Sequence, residues 1–428
     1  MKWRMRYLTM FISALLLVTL SFVLWTSNQK KILRIGVYAG SSWDVPNSRE
    51  NRVLDNIIHQ FEKSHPNVKV VYESGIPKKD YDNWLAEKIL KGEQPDIFMV
   101  PENDFSMLAA SGAFKSLDSL LSKEEVEAYY PVAYQAGQYQ GHSYALPIES
   151  NPIMMCVNKD LLEKEGISIP DSNWTLEDLY AICQKVTKDT DGDGLIDQYG
   201  ITDYTWKQAL VAYNGHLRNQ NGVNIDSVEM HQALSFISKL DSLNQRYKVT
   251  SNDFDEGKVA FYPMSLAQYR TYKPYPYHVA KYSRFSWTCI PMPAAKAGIP
   301  ATQVKTSLFA ISSKTKQDKL AWEFMKLLCQ NHKNQQELFA KSQGTSVLTS
   351  VVKSSQTKKI LQADDFGLDS LTSQRLDHMM KHSVLDISRD LDYHSLERLD
   401  YLLGNALKNN EIDSILPSIQ REMEETGK

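Results

Sequence analysis

Between residues 32 and 110, strand patterns alternate with amphipathic helix patterns, and this alternation limits the fold more than any other feature of the sequence. Strand patterns at 32–38, Val68–Tyr72 and Ile97–Val100 are each followed by a helical pattern. Strands and helices in this order form a parallel sheet, because each helix carries the chain back across one face of the sheet. The sequence therefore predicts an α/β fold with a largely parallel, doubly wound sheet.

Two of these strands lead into polar loops. The first is followed by Ser42, Trp43 and Asp44, and the third is followed, after a proline, by Glu102, Asn103 and Asp104. In open α/β sheets, ligands bind in the crevice beyond the carboxyl ends of the strands. These loops are therefore candidates for ligand contact, although an ordinary turn before a capped helix explains the second loop equally well.

Length and composition narrow the range of functions. A chain of 428 residues is too long for one compact core, so we expect at least two lobes. The net charge is -3, and no block of basic residues alternates with aromatic ones, which argues against a nucleic-acid partner. The 22 Tyr and 8 Trp residues suit a protein that binds flat ligands rich in hydroxyl groups, as well as a large ordinary core.

The first residues indicate the compartment. Basic residues precede an uncharged apolar run at 7–25, which spans roughly 28 Å as a helix, close to the thickness of a bilayer core. We predict that 1–29 is a transmembrane anchor or uncleaved signal that leaves the rest of the chain outside the plasma membrane. A cleaved signal peptide is the alternative, but the run is long for one and no small-residue cleavage site follows it.

The four cysteines are Cys156, Cys183, Cys289 and Cys329. They lie far apart in the sequence, without a CxxC pair, and three of them fall in apolar strand or helix patterns. Buried free thiols are the expected state. A single disulfide in an oxidising compartment is the alternative, and the sequence does not identify its pair.

Ordered segments along the chain carry a resemblance to a known family. They include FEKSHPNVKV, ILKGEQPDIFMV, SGAFKSLD, YQGHSYALPIE, MCVNKDLLEKEGI with WTLEDL, FDEGKVAFY, IPMP and AWEFMKLLCQN. In this order, they resemble the extracellular solute-binding proteins, family 1, of ABC importers, of the carbohydrate-binding type.

This resemblance implies a class II, periplasmic-binding-protein-like fold in which two α/β lobes, joined by a multi-strand hinge, close on a ligand. The implied lobes are 32–147 with 291–343, and 148–290 with 344–428.

The resemblance also implies which residues contact the ligand. The Ser42 and Glu102 loops match family contact loops, and Glu149 follows the first hinge crossing. In the second lobe Trp206 is either a platform in the cleft or a buried core residue. The family usually has a ring-stacking Trp in the turn after the segment that matches GKVAF, and this Trp is absent here. The available substitutes are Tyr262, Gln268, Tyr269 and Arg270.

An acidic loop resembles the front of an EF-hand calcium site. Asp189, Asp191, Asp193 and Asp197 occupy ligand positions, with the carbonyl of Leu195 between them. Position 12 is glycine instead of the usual glutamate, so the loop is not an EF-hand. Similar loops in the resembled family hold a structural calcium ion, which we expect here, with a plain Asx-turn loop as the alternative.

The predicted function is capture of a sugar or oligosaccharide outside the membrane for an ABC importer, with the permease subunits as partners. The alternative is a membrane-tethered solute sensor that signals to a partner such as a histidine kinase. Enzyme function is not expected, because no HExxH, GxSxG, P-loop or GxGxxG motif occurs.

Overall fold

A computed structural model describes residues 30–45, 50–245, 247–273, 278, 283–364, 370–409 and 411–426. The predicted anchor at 1–29 lies outside these residues. Within the described parts of the chain, no helix is both long enough and apolar enough to cross a membrane.

The strands, numbered in chain order, are β1 (Lys31–Gly36), β2 (Val68–Tyr72), β3 (Ile97–Val100), β4 (Gln138–Tyr139), β5 (His142–Ser143), β6 (Ala145–Asn158), β7 (Tyr199–Ile201), β8 (Arg218–Asn219), β9 (Gly222–Val223), β10 (Val259–Ser265), β11 (Trp287–Ile290), β12 (Thr302–Ile311), β13 (Thr345–Ser346) and β14 (Ser383–Leu385).

The α-helices are α1 (Glu50–Ser64), α2 (Lys78–Lys91), α3 (Phe105–Ala110), α4 (Lys123–Glu127), α5 (Pro131–Ala136), α6 (Lys159–Lys164), α7 (Leu176–Val186), α8 (Trp206–Ala212), α9 (Val228–Leu243), α10 (Ser251–Asp255), α11 (Leu266–Thr271), α12 (Asp318–Cys329), α13 (His332–Lys341), α14 (Thr349–Val352), α15 (Ser355–Ala363), α16 (Ser373–Lys381), α17 (Tyr393–Asn409) and α18 (Ile412–Thr426). A short 3-10 helix covers Ile387–Asp390.

The predicted parallel sheet is confirmed at the amino end of the chain. Strand β1 pairs in parallel with both β2 and β3, and helices α1 and α2 connect these strands. Each of the three strands has buried apolar side chains, and α1 turns Val53, Ile57 and Phe61 into the same core. The carboxyl ends of β1 and β3 consequently open at one edge of the sheet.

Strand β6 joins the two lobes. Its first half, Ala145 to Pro152, pairs antiparallel with β12 of the first lobe, and its second half pairs with β10 and β11 of the second. Prolines normally interrupt a strand, but Pro147 lies within this one, because a bulge opposite Ser307 and Leu308 accommodates it in the ladder. Two short helices, α4 and α5, come before β6 and are followed by the β4–β5 hairpin.

Within the described residues, ten strands form one continuous curled sheet that both lobes share. Two buried clusters pack on it, but the first cluster contains residues on both sides of the hinge, such as Leu33 and Trp287. Packing alone does not define which residues move together, so the predicted lobe boundaries stay a prediction.

Candidate functional site

A cleft of about 550 Å³ lies where the two lobes face each other across β6. This volume is in the range of sites that bind small molecules. Its lining combines loops after the strands of both lobes with the hinge strand. The lining residues are Ser42, Trp43, Asp44, Val45, Lys78, Glu102, Asn151, Ile153, Asp203, Thr205, Gln208, Tyr262, Pro263, Ser265, Gln268 and Lys305.

The loop after β1 forms part of the first wall. The ammonium group of Lys78 donates to the carboxylate of Asp44 at 3.0 Å and to the carbonyl oxygen of Ser42 at 2.9 Å. Asp44 has a φ of 58°, in the left-handed region that aspartate tolerates better than most residues. Lys78 therefore fixes a turn that presents Trp43 and a carboxylate to the cleft.

An ion pair lies between this wall and the hinge. The Nζ atom of Lys305, on β12, is 3.4 Å from Oε1 of Glu102, which follows β3. Burial opposes the charge on Lys305, but Glu102, Asp386 and Asp44 together raise the pKa of its ammonium group. Both side chains are about one-third exposed (37% and 36%), so they remain accessible to a ligand.

The second wall is formed by the first turns of two helices. In each, a capping box uses the glutamine oxygen: Gln208 accepts from the backbone of Thr205 at 2.9 Å, and Gln268 from that of Ser265 at 2.8 Å. Asn151 of the hinge similarly accepts from the backbone N–H of Ala267 at 3.0 Å. With the oxygens occupied, each of these three side chains keeps an amide NH₂ group that can act as a donor.

Asp203 and Tyr262 complete this wall. Asp203 follows β7 and has a φ of 54°, which matches the conformation of Asp44 on the opposite wall. Burial raises the pKa of Asp203, while a hydrogen bond from the Tyr262 hydroxyl and the charge of Lys248 oppose the increase. The pKa of Tyr262 is in turn raised by burial and by the neighbouring carboxylate. The tyrosine ring is thus held in place at the cleft surface.

The cleft combines amide and ammonium donors with carboxylate acceptors, and it has aromatic surface from Trp43 and Tyr262. Hydroxyl groups can both donate and accept, so they match such a mixed set of partners, while ring faces cover the C–H surface of a sugar. The cationic side chains Lys78 and Lys305 are already paired with carboxylates. The arrangement therefore favours a neutral, hydroxyl-rich ligand.

Two of the predicted aromatic contact residues are buried in the core instead of lining the cleft. Trp206 is 5% exposed, and its indole N–H donates to Asp400 at 2.7 Å. Tyr269 is fully buried, and its hydroxyl bonds to Ser370. Both rings serve the core, because the first residue of α8 and the fourth of α11 fall on the inner faces of these helices. Only Tyr262 and Gln268 of the predicted substitutes reach the cleft.

Glu149 lies behind the cleft instead of in it. It is 3% exposed, and its Oε1 accepts from the Ser342 hydroxyl and, at 2.7 Å, from the backbone N–H of Gly344. Burial raises its pKa to about 7, although these donors, the nearby indole N–H of Trp43 and the charge of Arg270 lower it. Glu149 thus ties the hinge strand to the segment before β13.

Asn103 and Asp104 lie beside the cleft and are not among its lining residues. Asp104 occupies the N-cap position of α3 but makes no side-chain capping bond. Burial, followed by the charge of Asp392 in the carboxyl-terminal part of the chain, raises the pKa of Asp104. Of the predicted Glu102–Asp104 loop, only Glu102 reaches the ligand space.

The acidic loop fits a cation in part. Oxygen atoms of Asp189, Asp191 and Asp193 lie within 4.8 Å of one another, and oxygen ligands are those that calcium prefers. Hydrogen bonds from the backbone N–H groups of Gly194 and Gly192 lower the pKa of Asp189, which keeps it ionised. The fourth carboxylate, Asp197, instead accepts from the backbone and hydroxyl of Thr190 at 2.8 and 2.6 Å. Leu195 is 68% exposed beside it.

The sequence model of the bacterial extracellular solute-binding proteins matches residues 56–364 of this chain. The chain belongs to this family. The resemblance inferred from the ordered segments is thereby confirmed.

Two curated relatives are similar to part of this chain. The maltotriose-binding protein of Pyrococcus abyssi is 25% identical over 138 residues, which cover 32% of this chain and 30% of that protein. An uncharacterised ABC transporter binding protein of Pyrococcus horikoshii is 27% identical over 141 residues, or 32% of each chain. The chain therefore spans about a third of the length of these curated relatives.

Solved structures share the two-lobed fold over almost the whole chain. One is an ABC substrate-binding protein of Listeria monocytogenes in complex with cycloalternan. The alignment includes 93% of this chain and 99% of that protein, with a TM-score of 0.66 and 18% identity. A sugar transporter of Rhizobium etli in an open conformation covers 92%, is 99% covered, and gives a TM-score of 0.73 with 17% identity. At these identities, the likeness establishes the fold of the solute-binding protein.

Several lining residues of this solute-binding protein were not predicted from the sequence. They are Val45, Lys78, Asn151, Ile153, Asp203, Thr205, Gln208, Pro263, Ser265 and Lys305. Two pairs, Thr205–Gln208 and Ser265–Gln268, do carry a local sequence signal. Each matches the capping-box spacing that marks the start of a helix after a strand. Lys305 and Asn151 carry none, since their positions depend on pairing between distant strands.

Proposed function

We propose that this solute-binding protein captures a neutral sugar or oligosaccharide and delivers it to an ABC importer. The observation that carries the proposal is the cleft itself, in which donors, acceptors and two aromatic rings from both lobes face one space. The relatives named for maltotriose and found with cycloalternan support a saccharide ligand.

Binding would act through closure of the lobes. Trp43, Asp44 and Glu102 belong to one wall, whereas Thr205 and Gln208 belong to the other. A ligand stabilises the closed state only by the contacts that it makes better there, and contacts to both walls at once are of this kind. The closed form would then be the one that the permease subunits recognise.

We propose binding without bond cleavage. The carboxylates of Asp44 and Glu102 are each paired with a lysine ammonium group, so both are engaged as hydrogen-bond acceptors. Glycoside hydrolysis would need one of the two carboxyl groups to donate a proton.

We further propose that the protein works outside the membrane, attached by its amino-terminal segment, and that the Asp189 loop binds calcium as a structural ion. The family is extracellular by description, and the apolar run at 7–25 has the length of one membrane span. Three neighbouring carboxylates repel one another, and a divalent cation would remove that repulsion.

A thermal-shift screen tests the saccharide assignment. The full chain, in a detergent without a sugar headgroup, would be heated with maltotriose, cyclic glucans, mannotriose and, for comparison, peptides. A ligand at 100 times its Kd stabilises the folded state by about 2.7 kcal/mol, which raises the melting temperature by a few degrees. A shift with peptides and with none of the saccharides would contradict the proposal.

A further inference from the structure

Two of the four cysteines face each other across neighbouring strands. Cys156 of β6 and Cys289 of β11 are direct partners in the antiparallel ladder. Their sulfur atoms are 3.5 Å apart, and both side chains are completely buried. A disulfide requires an approach to about 2.05 Å, which small side-chain rotations can supply when the backbone spacing is right.

The backbone spacing at this position suits a disulfide. The N–H group of Cys289 donates to the carbonyl oxygen of Ser370 at 2.8 Å, and therefore points away from β6. The N–H and C=O groups of a strand residue point to the same side, so Cys156 and Cys289 form a non-hydrogen-bonded pair. Such pairs have Cα atoms about 4.5 Å apart, within the range that disulfides span.

The other two cysteines lie in different surroundings. Cys183, on α7, packs against Gly200, since a Cβ atom at Gly200 would lie 2.5 Å from the Cβ atom of Cys183. Cys329 ends α12 and is buried in the first cluster. Among the described residues, Cys156 and Cys289 are the cysteines whose sulfur atoms are in contact. The structure thus identifies the cysteine pair that is positioned for a disulfide, which the sequence did not.

We propose that Cys156 and Cys289 form a disulfide when the chain folds in an oxidising compartment. One thiolate attacks a disulfide-bearing oxidant, such as a thiol–disulfide oxidoreductase, and forms a mixed disulfide. The second thiolate then attacks the cysteine sulfur of that intermediate. The two cysteines lose two protons and two electrons in total, and the oxidant is released as its dithiol.

Burial decides when this bond forms and how long it lasts. Burial and the neighbouring Cys289 raise the pKa of the Cys156 thiol well above its usual value, so the folded thiol form reacts slowly. The bond therefore forms while this part of the chain is folding and the sulfur atoms are still open to the oxidant, and afterwards the same burial shields it from reductants. It closes a loop between residues 133 positions apart, which restricts the unfolded chain. Because Cys156 is also the partner of Tyr262 on β10, the bond braces the strand beneath the cleft.

The test is the thiol state of the full chain after refolding with glutathione disulfide. Alkylation in denaturant, followed by mass spectrometry, should find two reactive thiols, at Cys183 and Cys329, and a tryptic peptide pair joined through Cys156 and Cys289. Dithiothreitol should expose four thiols and lower the melting temperature by several degrees. This measurement uses the unaltered sequence, so it does not depend on the folding of a variant.

Two substitutions act as matched controls. Cys289→Ser should leave three reactive thiols and abolish the difference in melting temperature between oxidised and reduced protein, whereas Cys183→Ser should preserve the bond and the difference. Four free thiols in the oxidised chain, or a bond that involves Cys183 or Cys329, would overturn the proposal.

Discussion

At the scale of single residues, Glu149 shows how distant segments decide the surroundings of a side chain. The sequence places it directly after the predicted hinge crossing, and in the structure it lies within β6. Its burial and its bonds to Ser342 and Gly344 depend on a segment almost 200 residues away and leave no local signal. The same limit applies to Trp206 and Tyr269, whose aromatic character suits a core as well as a cleft.

Glu149 also predicts a pH dependence. Burial raises its pKa from 4.5 to about 7, so between these values the folded state binds the proton more tightly than the unfolded state. Its contribution is therefore most favourable below pH 4.5 and is lost as the pH rises through 7, by up to about 1.4 kcal/mol per pH unit. Glu149→Gln, which keeps an acceptor for Gly344, should remove this slope in urea midpoints measured at pH 5 and pH 7.5.

A matched control for this variant is Glu177→Gln, at an exposed glutamate in the first turn of α7. It should retain the slope of the unaltered chain. An unchanged slope in Glu149→Gln would show that the buried carboxyl is not the group that titrates.

At the scale of elements, local sequence patterns predicted the bounds of individual strands and helices better than they predicted which distant strands pair. The bounds of β2 and β3 agree with the strand patterns predicted at Val68–Tyr72 and Ile97–Val100. These elements carry their own periodicity and end signals. The continuity of β6 has no such local signal, because its prolines normally end a strand and pairing with β12, distant in sequence, makes it continuous.

The acidic loop gives a prediction at this scale. Millimolar calcium should raise the melting temperature of the full chain, since a cation bound to the folded state removes the repulsion among Asp189, Asp191 and Asp193. Asp191→Asn should reduce the shift strongly, while Asp171→Asn, in an exposed loop elsewhere, should leave it intact. Equal melting temperatures with calcium and with a chelator would show that the loop is held by its own hydrogen bonds.

At the scale of the whole molecule, the two-lobed fold could be predicted because many weak segments occurred in a consistent order. The cleft could be predicted only in part. Residues that follow strands, such as Trp43 and Glu102, were accessible from the strand-then-loop pattern. Lys305 and Asn151 belong to the site only because β12 pairs with β6. The sequence pattern does not show the register of that pairing.

One saccharide is expected to contact both walls of the cleft at once. Calorimetric titration with the saccharide found in the thermal screen measures this, with Trp43→Ala altering the first wall and Gln208→Ala the second. Each should weaken binding at least about tenfold, or 1.4 kcal/mol. Trp84→Ala and Gln220→Ala, which lie outside the cleft lining, should bind like the unaltered chain. Unchanged affinity in both cleft variants would show that the saccharide does not bind between these two walls.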